Sequence, residues 1–511
     1  MLNLPPQGDA PEISAKLPSM TYDLLIVGGG INGVATARDA AGRGWKTLLV
    51  ERDDLASHTS SASSKLIHGG IRYLEFYEFG LVRKALKERE VMLRSAPHII
   101  WPMRFVFPHN DQIRPYWMIR AGLFLYDLIG GRRTLKGTRA LAKANPQYRS
   151  PFSNPRTRGF VYSDCWVDDA RLVVLNARDA ADKGAEIETG VALVSAKREG
   201  PLWTATLSDG RTIQARALVN AAGPWVSDVL EDKIGMTGKA GVRLVRGSHI
   251  VVRRLFAGDQ AYILQLPDKR VVFAIPYLDR YTLIGTTDIA VDDPAAAVMD
   301  THEVDYLCRA VNLYFAIQIS PDDVVSLYSG VRSLYDDGAE DSKDVTRDYV
   351  LEMDGGGENG EAPLLSIFGG KITTARALAE DAADRLCQIS TLGGAPWTRD
   401  AKLPGGELGV GFDDFLEQVE ARYHFLEWEH AKRLARAYGS LLPTILGDAN
   451  SMADLGEHFG AGLTEREVLY LIEKEWAKTP DDILWRRSKL GLVMTEDEQA
   501  RFREYFEGLA L

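Results

Sequence analysis

Residues 22–51, YDLLIVGGGINGVATARDAAGRGWKTLLVE, decide the fold of this chain. The apolar run at residues 24–27 is typical of a parallel strand that is buried on both faces. Gly28, Gly30 and Gly33 follow with the spacing G-x-G-x-x-G, which permits a tight turn, close approach of backbone to a pyrophosphate, and close packing of helix on strand. The pattern predicts a strand, a glycine turn and a helix that together hold a dinucleotide.

The rest of the stretch completes this unit. The predicted helix begins near Ile31, with its free N–H groups directed at the phosphates, and ends at Gly42 to Gly44. Residues 47–50 form the second strand, and Glu51 follows it, where a carboxylate accepts ribose hydroxyls and repels a 2′-phosphate. The unit therefore argues against NADP. The alternative is a glycine turn in some other strand–helix–strand unit.

Composition limits the class of protein. The 511 residues suffice for two or three domains, and the net charge of −11 argues against general nucleic-acid binding, which needs a basic face. Three cysteines, Cys165, Cys308 and Cys387, lie far apart, so we expect a reducing compartment and no metal site. The first 20 residues lack the pattern of a signal peptide, and no run approaches the roughly 18 apolar residues of a membrane span. We therefore expect a cytoplasmic location.

Two further stretches each allow two interpretations. Residues 57–75, SHTSSASSKLIHGGIRYLE, offer hydroxyls and glycines that suit a diphosphate and a flat ring, but a serine-rich surface loop has the same composition. Residues 115–133, PYWMIRAGLFLYDLIGGRR, read as an apolar, aromatic helix flanked by arginines, including Arg114. Such a helix lies either on an anionic membrane or buried between domains.

The later chain supplies a second sheet and a helical end. Residues 241–352 are rich in strand patterns and predict a mixed sheet over the cofactor. A buried strand at 364–368 precedes Gly369-Gly370-Lys371 and a helix from about Thr373, which together form a corner that stabilises anions. Residues 407–511 contain helical patterns, for example at 428–438 and 465–475, and no convincing strand.

The longer motifs of the chain are GGGINGVATARDAAGRG, SSASSKLIHGGIRYLE, YSDCWVDDARLV, GSHIVV, IGTTD, YSGVR, FGGKITT and DDILWRRSKLGL. From about Tyr22 to the C terminus the sequence resembles the FAD-dependent glycerol-3-phosphate dehydrogenases of the aerobic, quinone-linked kind. One departure is Ser333, where the family pattern has proline after the arginine of GVR. The resemblance implies oxidation of sn-glycerol 3-phosphate at C2 to dihydroxyacetone phosphate, by hydride transfer to non-covalent FAD, with electrons passed to membrane quinone.

The predicted fold is α/β: an FAD-binding Rossmann-like domain interleaved with a mixed-sheet substrate domain, plus a C-terminal helical domain. The predicted boundaries are an N-terminal extension at 1–20, the FAD-binding domain at 21–96, 165–240 and 355–390, the substrate domain at 97–164 and 241–354, and the helical domain at 391–511. We expect peripheral association with the inner face of the cell membrane, and a homodimer is left open.

The same resemblance places the site residues. A secondary alcohol needs a base for its proton, and histidine has a suitable pKa near neutrality. His249 and Arg332 are the predicted catalytic residues, with His68 as a second candidate base. The predicted substrate-binding residues are Arg72, Tyr73, Thr287, Arg332 and Lys371. The predicted FAD-binding residues are Gly28, Gly29, Gly30, Asn32, Gly33, Glu51, Arg52, Ser60, Ser61, Ser63, Ser64, Leu66, His68, Gly69, Gly70, Ala222, Gly223, Gly370, Lys371 and Thr373.

Three other functions stay open from the sequence. A glycerol-3-phosphate oxidase would pass electrons to O2 on the same fold. An amine or amino-acid oxidase would need a carboxylate clamp and no basic triad for phosphate. A flavin-free binding protein would lack the yellow colour of the others.

Overall fold

The structure is a computed structural model. It describes residues 21–109, 115–131, 134–237, 241–336, 348–357 and 360–509. The predicted N-terminal extension and three arginines at the ends of the apolar helix, Arg114, Arg132 and Arg133, lie outside the described residues.

Strands and helices alternate over the first four-fifths of the chain, and helices dominate its last fifth. The strands are β1 (Thr21–Val27), β2 (Thr47–Glu51), β3 (Leu66–Ile67), β4 (Ile100–Pro108), β5 (Arg139–Ala140), β6 (Gly159–Val167), β7 (Glu186–Thr189), β8 (Leu193–Glu199), β9 (Leu202–Leu207), β10 (Thr212–Asn220), β11 (Gly241–Arg253), β12 (Ala261–Gln265), β13 (Val271–Tyr277), β14 (Tyr281–Gly285), β15 (Ile289–Val291), β16 (Val324–Asp336), β17 (Val350–Asp354), β18 (Leu364–Phe368), β19 (His458–Gly460) and β20 (Leu463–Thr464). The helices are α1 (Ile31–Gly42), α2 (Phe79–Ser95), α3 (Tyr116–Ile129), α4 (Asp169–Asp182), α5 (Val226–Asp228), α6 (Thr301–Asn312), α7 (Ala375–Ile389), α8 (Phe412–Arg422), α9 (Trp428–Tyr438), α10 (Leu442–Leu446), α11 (Glu465–Glu475) and α12 (Glu496–Gly508).

The first sheet has the strand order β17-β18-β10-β1-β2-β7, with β9 and β8 added beside β10. β18, β10, β1, β2 and β7 are parallel. Their apolar side chains pack against α1, α4 and α7 on one face, and against β8, β9 and the segment after Val226 on the other. Because both faces are covered, the strands read as continuous apolar runs. The carboxyl ends of β1, β2, β10 and β18 meet at one edge, where ligands bind in such sheets.

The second sheet is mixed and has the order β15-β11-β14-β13-β12-β4-β6-β3, with β16 paired to β11 and β5 to β6. α2 and α3 pack on one face, and α6 packs on the other. β3 and all of β6 belong to this sheet, although the predicted boundaries assign residues 66–67 and 165–167 to the FAD-binding domain. The domain boundaries remain a prediction.

The C-terminal region has its own apolar core, built by α8 to α12. α9 and α11 have the predicted bounds. The expectation that this region contains no strand is wrong for β19 and β20, which form a two-stranded sheet. Its strands are three and two residues long and are joined at Gly460 and Gly462, both with positive φ, so they are too short to show an alternating pattern.

Helix α3 has one buried face and one exposed face, and its association with a membrane stays a prediction. Ile119, Leu123 and Tyr126 are buried against the second sheet. Trp117, Phe124 and Leu128 point outward and keep 68%, 68% and 61% of their surface exposed. One face of α3 is thus core, and the other is an uncovered apolar surface. Among the described residues, no helix has both the length and the apolar character needed to cross a bilayer.

Candidate active site

The glycine turn leaves no room for side chains at two positions. Gly28 has a φ of +113°, and a Cβ there would lie 2.5 Å from the carbonyl oxygen of Ala221 at the end of β10. A Cβ on Gly33 would lie 1.9 Å from the carbonyl oxygen of Gly28. α1 therefore packs directly on the turn, and its first N–H group, that of Ile31, donates to Ser60 Oγ at 3.0 Å. The cradle has the shape that the G-x-G-x-x-G spacing predicts.

Glu51 ends β2 with its carboxylate fixed by backbone. The N–H of Gly29 donates to Oε2 at 2.6 Å, and the N–H of Asp53 donates to Oε1 at 2.9 Å. The side chain is buried and forms part of the cavity wall. Since each carboxylate oxygen can accept more than one hydrogen bond, Glu51 is held ready for the hydroxyls of a ribose.

A cavity of about 560 Å³ begins at the turn. It is lined by Gly28, Gly30, Glu51, Arg52, residues 56–60, residues 191–194 and residues 221–225, with further residues from 228–233. Its size suits part of a large cofactor. Ser57 Oγ on its wall and Asn32 Oδ1 at the start of α1 are buried and have no hydrogen-bond partner within the described parts of the chain. A bound nucleotide would supply the partners that these polar atoms lack.

Sequence reasoning missed several residues of this cavity, among them Ser57, His58 and Trp225. The Trp225 ring lies under the guanidinium of Arg52 at 4.2 Å and beside the imidazole of His58 at 4.7 Å between ring centroids. Trp225 ends the sequence AAGPW at residues 221–225, whose small residues after an apolar run were the available signal. The sequence does not show that this tryptophan returns over the end of β2.

A second group of predicted residues meets at the start of α7. Asn32 Nδ2 donates to the carbonyl oxygen of Gly369 at 3.0 Å, and Gly370 has a φ of +95°, with no room for a Cβ beside Asn32. Thr373 Oγ1 accepts from the backbone N–H of His68 at 3.3 Å. Burial lowers the pKa of His68, so its imidazole is neutral at pH 7. The start of α7 thus brings together the glycine turn at residues 28–33, the glycine pair at 369–370 and the stretch of residues 57–75 that contains His68.

The serines of that loop have different partners. Ser64 Oγ and His249 Nε2 are 2.8 Å apart, and Ser63 Oγ donates to Asp169 at 2.8 Å. Ser61 Oγ contacts the carbonyl oxygen of His58 at 3.3 Å. The stretch is therefore not a free surface loop, because it is bonded to the second sheet through His249 and to helix α4 through Asp169. Ser60 is the member of the set that lies on the cavity wall.

His249 is buried on β11 between Ser64 and the ring of Tyr328, which stacks on it at 4.9 Å. Its Nδ1 atom has no partner among the described residues. Burial, and then the positive charges of Lys65 and Arg332, lower the pKa of His249 to about 3. The expectation that its pKa lies near neutrality is therefore wrong for the ligand-free protein. The imidazole is therefore neutral at pH 7, and with this pKa it is a weak base.

The predicted cations lie around this histidine and along the adjoining loop. Arg332 on β16 pairs with Asp288 at 2.8 Å, and both side chains are about half exposed. Lys371 Nζ lies 3.9 Å from the centre of the Tyr73 ring. Arg72 donates to the carbonyl oxygen of Lys269 at 3.2 Å and is exposed. Within the described parts of the chain, none of the three is bound in a buried ion pair that a phosphate would have to break.

Thr287 behaves differently from the other predicted substrate residues. Its hydroxyl donates to Glu303 Oε1 at 2.7 Å and accepts from the N–H of Ser248 at 2.9 Å. Ser248 Oγ also donates to Glu303. The Thr287 side chain is thus engaged inside a buried network next to His249, and contact with substrate remains a prediction.

A family model for FAD-dependent oxidoreductases matches residues 23–385, and a model for the C-terminal domain of alpha-glycerophosphate oxidase matches residues 396–507. This chain belongs to the FAD-dependent oxidoreductases. It is 52% identical to glycerol-3-phosphate dehydrogenase of Pseudomonas aeruginosa over 95% of both chains, and 50% identical to D-erythritol 1-phosphate dehydrogenase of Brucella abortus over 96% of this chain and 99% of that one. The crystal structure of the glycerol-3-phosphate dehydrogenase from Bacillus halodurans, complexed with FAD, superposes with a TM-score of 0.71 at 28% identity, covering 97% of this chain and 95% of that chain.

These comparisons confirm the predicted family, fold class and enzyme class, and FAD is the cofactor of this oxidoreductase. The residues themselves fit the cofactor, because the glycine cradle excludes side chains, and Ser57 Oγ on the cavity wall and Asn32 Oδ1 at the start of α1 have no hydrogen-bond partner among the described residues. Gly28 to Gly33 would hold the pyrophosphate, and Glu51 would hold the ribose. The contacts of the individual site residues with FAD remain predictions.

Proposed function

We propose that this oxidoreductase oxidises sn-glycerol 3-phosphate at C2 to dihydroxyacetone phosphate and passes the electrons to membrane quinone. The observation that carries the proposal is a group of three cations, Arg72, Arg332 and Lys371. Each of them lies within residues 64–73, contacts that segment, or acts on the histidine that Ser64 contacts. Ser64 of that segment contacts His249, which lies in the field of Arg332. Nine residues later, Tyr73 packs on Lys371, beside Arg72. A small phosphorylated alcohol is the substrate class that such a set of charges suits.

The phosphate would bind by exchange of partners. The ion pair of Arg332 with Asp288 is half exposed, and exposed pairs contribute little to stability. A phosphate dianion offers Arg332 a bidentate partner with more charge. Arg72 and Lys371 would take the remaining phosphate oxygens.

FAD, when bound, supplies the acceptor for the hydride that leaves C2. The protein's part is to hold the substrate and to take its hydroxyl proton, which we assign to His249, whose buried Nδ1 has no hydrogen-bond partner among the described residues. Burial, and then the charges of Lys65 and Arg332, keep the pKa of His249 low. The negative charge of the substrate would offset the two cations and raise that pKa, so that the imidazole becomes a stronger base.

Anaerobic bleaching of the flavin tests the substrate. Purified enzyme should lose its absorbance near 450 nm on addition of sn-glycerol 3-phosphate, whereas its mirror image, sn-glycerol 1-phosphate, should leave the colour unchanged. D-erythritol 1-phosphate is the second candidate, because a relative that is 50% identical along its whole length is named for it. If D-erythritol 1-phosphate bleaches the flavin and glycerol 3-phosphate does not, the substrate is D-erythritol 1-phosphate.

The exposed face of α3 supports quinone as the acceptor. Trp117, Phe124 and Leu128 are large, apolar and uncovered, and Arg120 is exposed beside them. A helix of this kind inserts its apolar face below lipid headgroups while its arginines meet anionic lipid. The enzyme would therefore lie on the inner face of the cell membrane, where quinone is accessible; a homodimer remains a further prediction.

Substitution of that face separates the acceptor from the chemistry. The triple variant Trp117→Ser, Phe124→Ser, Leu128→Ser should release the enzyme from anionic vesicles and slow quinone reduction, while dye-coupled oxidation of glycerol 3-phosphate persists. Leu123→Ala is the matched control, since Leu123 is fully buried and its loss should lower thermal stability instead. Unchanged vesicle binding by the triple variant, or rapid O2 uptake without quinone, would contradict the proposed acceptor.

A further inference from the structure

Two residues of the motif DDILWRRSKLGL, Arg487 and Lys489, make long-range contacts that have no part in the proposed reaction. Its residues 486–489, Arg-Arg-Ser-Lys, form the RRSK segment of the C-terminal region. Arg487 is fully buried and reaches Asp54, which lies 433 residues earlier in the sequence. NH1 and NH2 of Arg487 donate to the two oxygens of Asp54 at 2.5 and 2.7 Å. The same guanidinium donates to the carbonyl oxygen of Glu475 through Nε and NH2, at 3.1 and 2.6 Å.

Asp54 begins the loop that lines the FAD cavity, here called the serine loop (residues 54–65). The backbone carbonyl of Asp54 accepts from the N–H of Ser57 at 3.2 Å, which closes the first turn of the loop. The loop then lines the cavity with residues 56–60, and Ser60 bonds to the first N–H of α1. The position of Asp54 therefore determines where these residues stand against the cofactor.

The other end of the serine loop is held from the same segment. Lys65 closes the loop with a buried ion pair to Asp169 at 2.9 Å. The neighbouring Asp168 caps α4 through the N–H of Arg171 and pairs with Lys489. Arg487 thus holds one end of the loop directly, whereas Lys489 acts on the other end through Asp168, the neighbour of the Asp169 that pairs with Lys65. Arg486 adds a second ion pair to Asp54.

We propose that the RRSK segment is the positioning element for the FAD-binding serine loop, with Arg487 and Asp54 as its main contact. The C-terminal region thereby contributes to cofactor retention without touching the cofactor. A buried, bidentate arginine–carboxylate pair is directional, and loss of one partner leaves the other charge buried without compensation. Release of Asp54 would let the cavity wall move away from the nucleotide.

The test is the rate at which FAD leaves the intact holoenzyme after dilution, followed by recovery of flavin fluorescence at a temperature well below unfolding. Arg487→Met and, separately, Asp54→Asn should each speed release about tenfold, the size expected for a residue that acts through its neighbours. The double variant should release FAD no faster than the faster of the two single variants, because both single variants remove the contact between Arg487 and Asp54. Asp54→Asn keeps the shape of the side chain and provides the answer even if Arg487→Met does not fold.

Arg433→Met is the matched control. Arg433 makes an equivalent two-pronged contact with Glu467, at 2.8 and 2.7 Å, but entirely within the C-terminal region. Its loss should lower the unfolding temperature and leave the FAD release rate unchanged. Equal acceleration by Arg433→Met, or release rates within about twofold of wild type in Asp54→Asn, would overturn the proposal.

Discussion

The nucleotide end and the substrate end of the active site use different groups to make their contacts. At the nucleotide end, the contacts come from backbone around Gly28 and Gly33 and from Glu51, whose carboxylate is fixed by two N–H groups. At the substrate end, the charges are long side chains, and Arg332 is 48% exposed in a pair with a more exposed aspartate. The first end is rigid before any ligand arrives, whereas the second end must change partners to bind one.

This difference has a functional consequence. A rigid cradle binds its ligand with little loss of conformational entropy, which suits a cofactor that stays in place. Exposed cations with weak existing partners can be released to an incoming phosphate at low cost, which suits a substrate that enters and a product that leaves. Damage to the cradle should therefore remove the cofactor, while damage to the cations should change turnover with the cofactor still bound.

The largest effect is expected from Gly33→Ala. A Cβ there would lie 1.9 Å from the Gly28 carbonyl oxygen, so the helix and turn must separate and FAD binding should be lost. The measurement is flavin absorbance per mole of purified protein. Gly80→Ala, at an exposed site in α2 where a Cβ meets no atom within 4 Å, should keep its full flavin content. A yellow, active Gly33→Ala enzyme would show that the cradle is not rigid.

His249→Asn should have the second-largest effect, on turnover alone. Without the proton acceptor at Nδ1, kcat should fall by about 10²-fold, the usual size of a general-base contribution. Flavin content should match wild type, because His249 belongs to the substrate end. The measurement is dye-coupled turnover at saturating glycerol 3-phosphate. A rate near wild type would exclude the base role and turn attention to His68.

Arg332→Lys should lower kcat/KM for glycerol 3-phosphate between about 10-fold and 100-fold, since a lysine lacks the bidentate fork. FAD should remain bound. Arg211→Lys is a suitable control, because Arg211 also pairs with an aspartate, Asp209, but on the first sheet. If Arg332→Lys changes thermal stability and leaves kcat/KM unaltered, Arg332 is a surface ion-pair partner and no phosphate ligand.

The smallest expected effect concerns pH and stability. Burial lowers the pKa of His249 to about 3 in the folded chain, against about 6.5 when unfolded, so the unfolded state takes up the proton first as the pH falls. Stability is therefore complete well above pH 6.5 and declines as the pH falls through that value, by less than about 1 kcal/mol from this residue between pH 7 and pH 6. Urea unfolding of apoprotein at both pH values should show a smaller decline in His249→Asn. Burial also lowers the pKa of His98 to about 3, so His98→Asn should likewise reduce the decline in stability between the two pH values. An unchanged decline in both variants would contradict the burial argument.

Local sequence patterns predicted the position of an element correctly where each of its faces is either plainly apolar or plainly polar. β1, α1 and β2 lie where the apolar run and the glycines predict them, and α9 and α11 begin and end at the predicted residues. The positions of these three elements in the FAD-binding unit follow from the steric freedom of glycine and from the burial of apolar strands. Both effects act between residues that are close in sequence. Prediction was weakest for α3, because its sequence is apolar on both faces and carries no signal for which face is covered.

By itself, the sequence determined the dinucleotide cradle, the acidic residue at the end of β2, the order of strand-rich and helix-rich regions, and the family. Tertiary structure alone decided that Trp225 covers Arg52, that burial lowers the pKa of His249, and that Arg487 meets Asp54 across 433 residues. The physical reason is range. Backbone sterics and apolar periodicity act over a few residues and are written in order along the chain, whereas charge and burial depend on whichever distant segments the fold brings within a few ångströms.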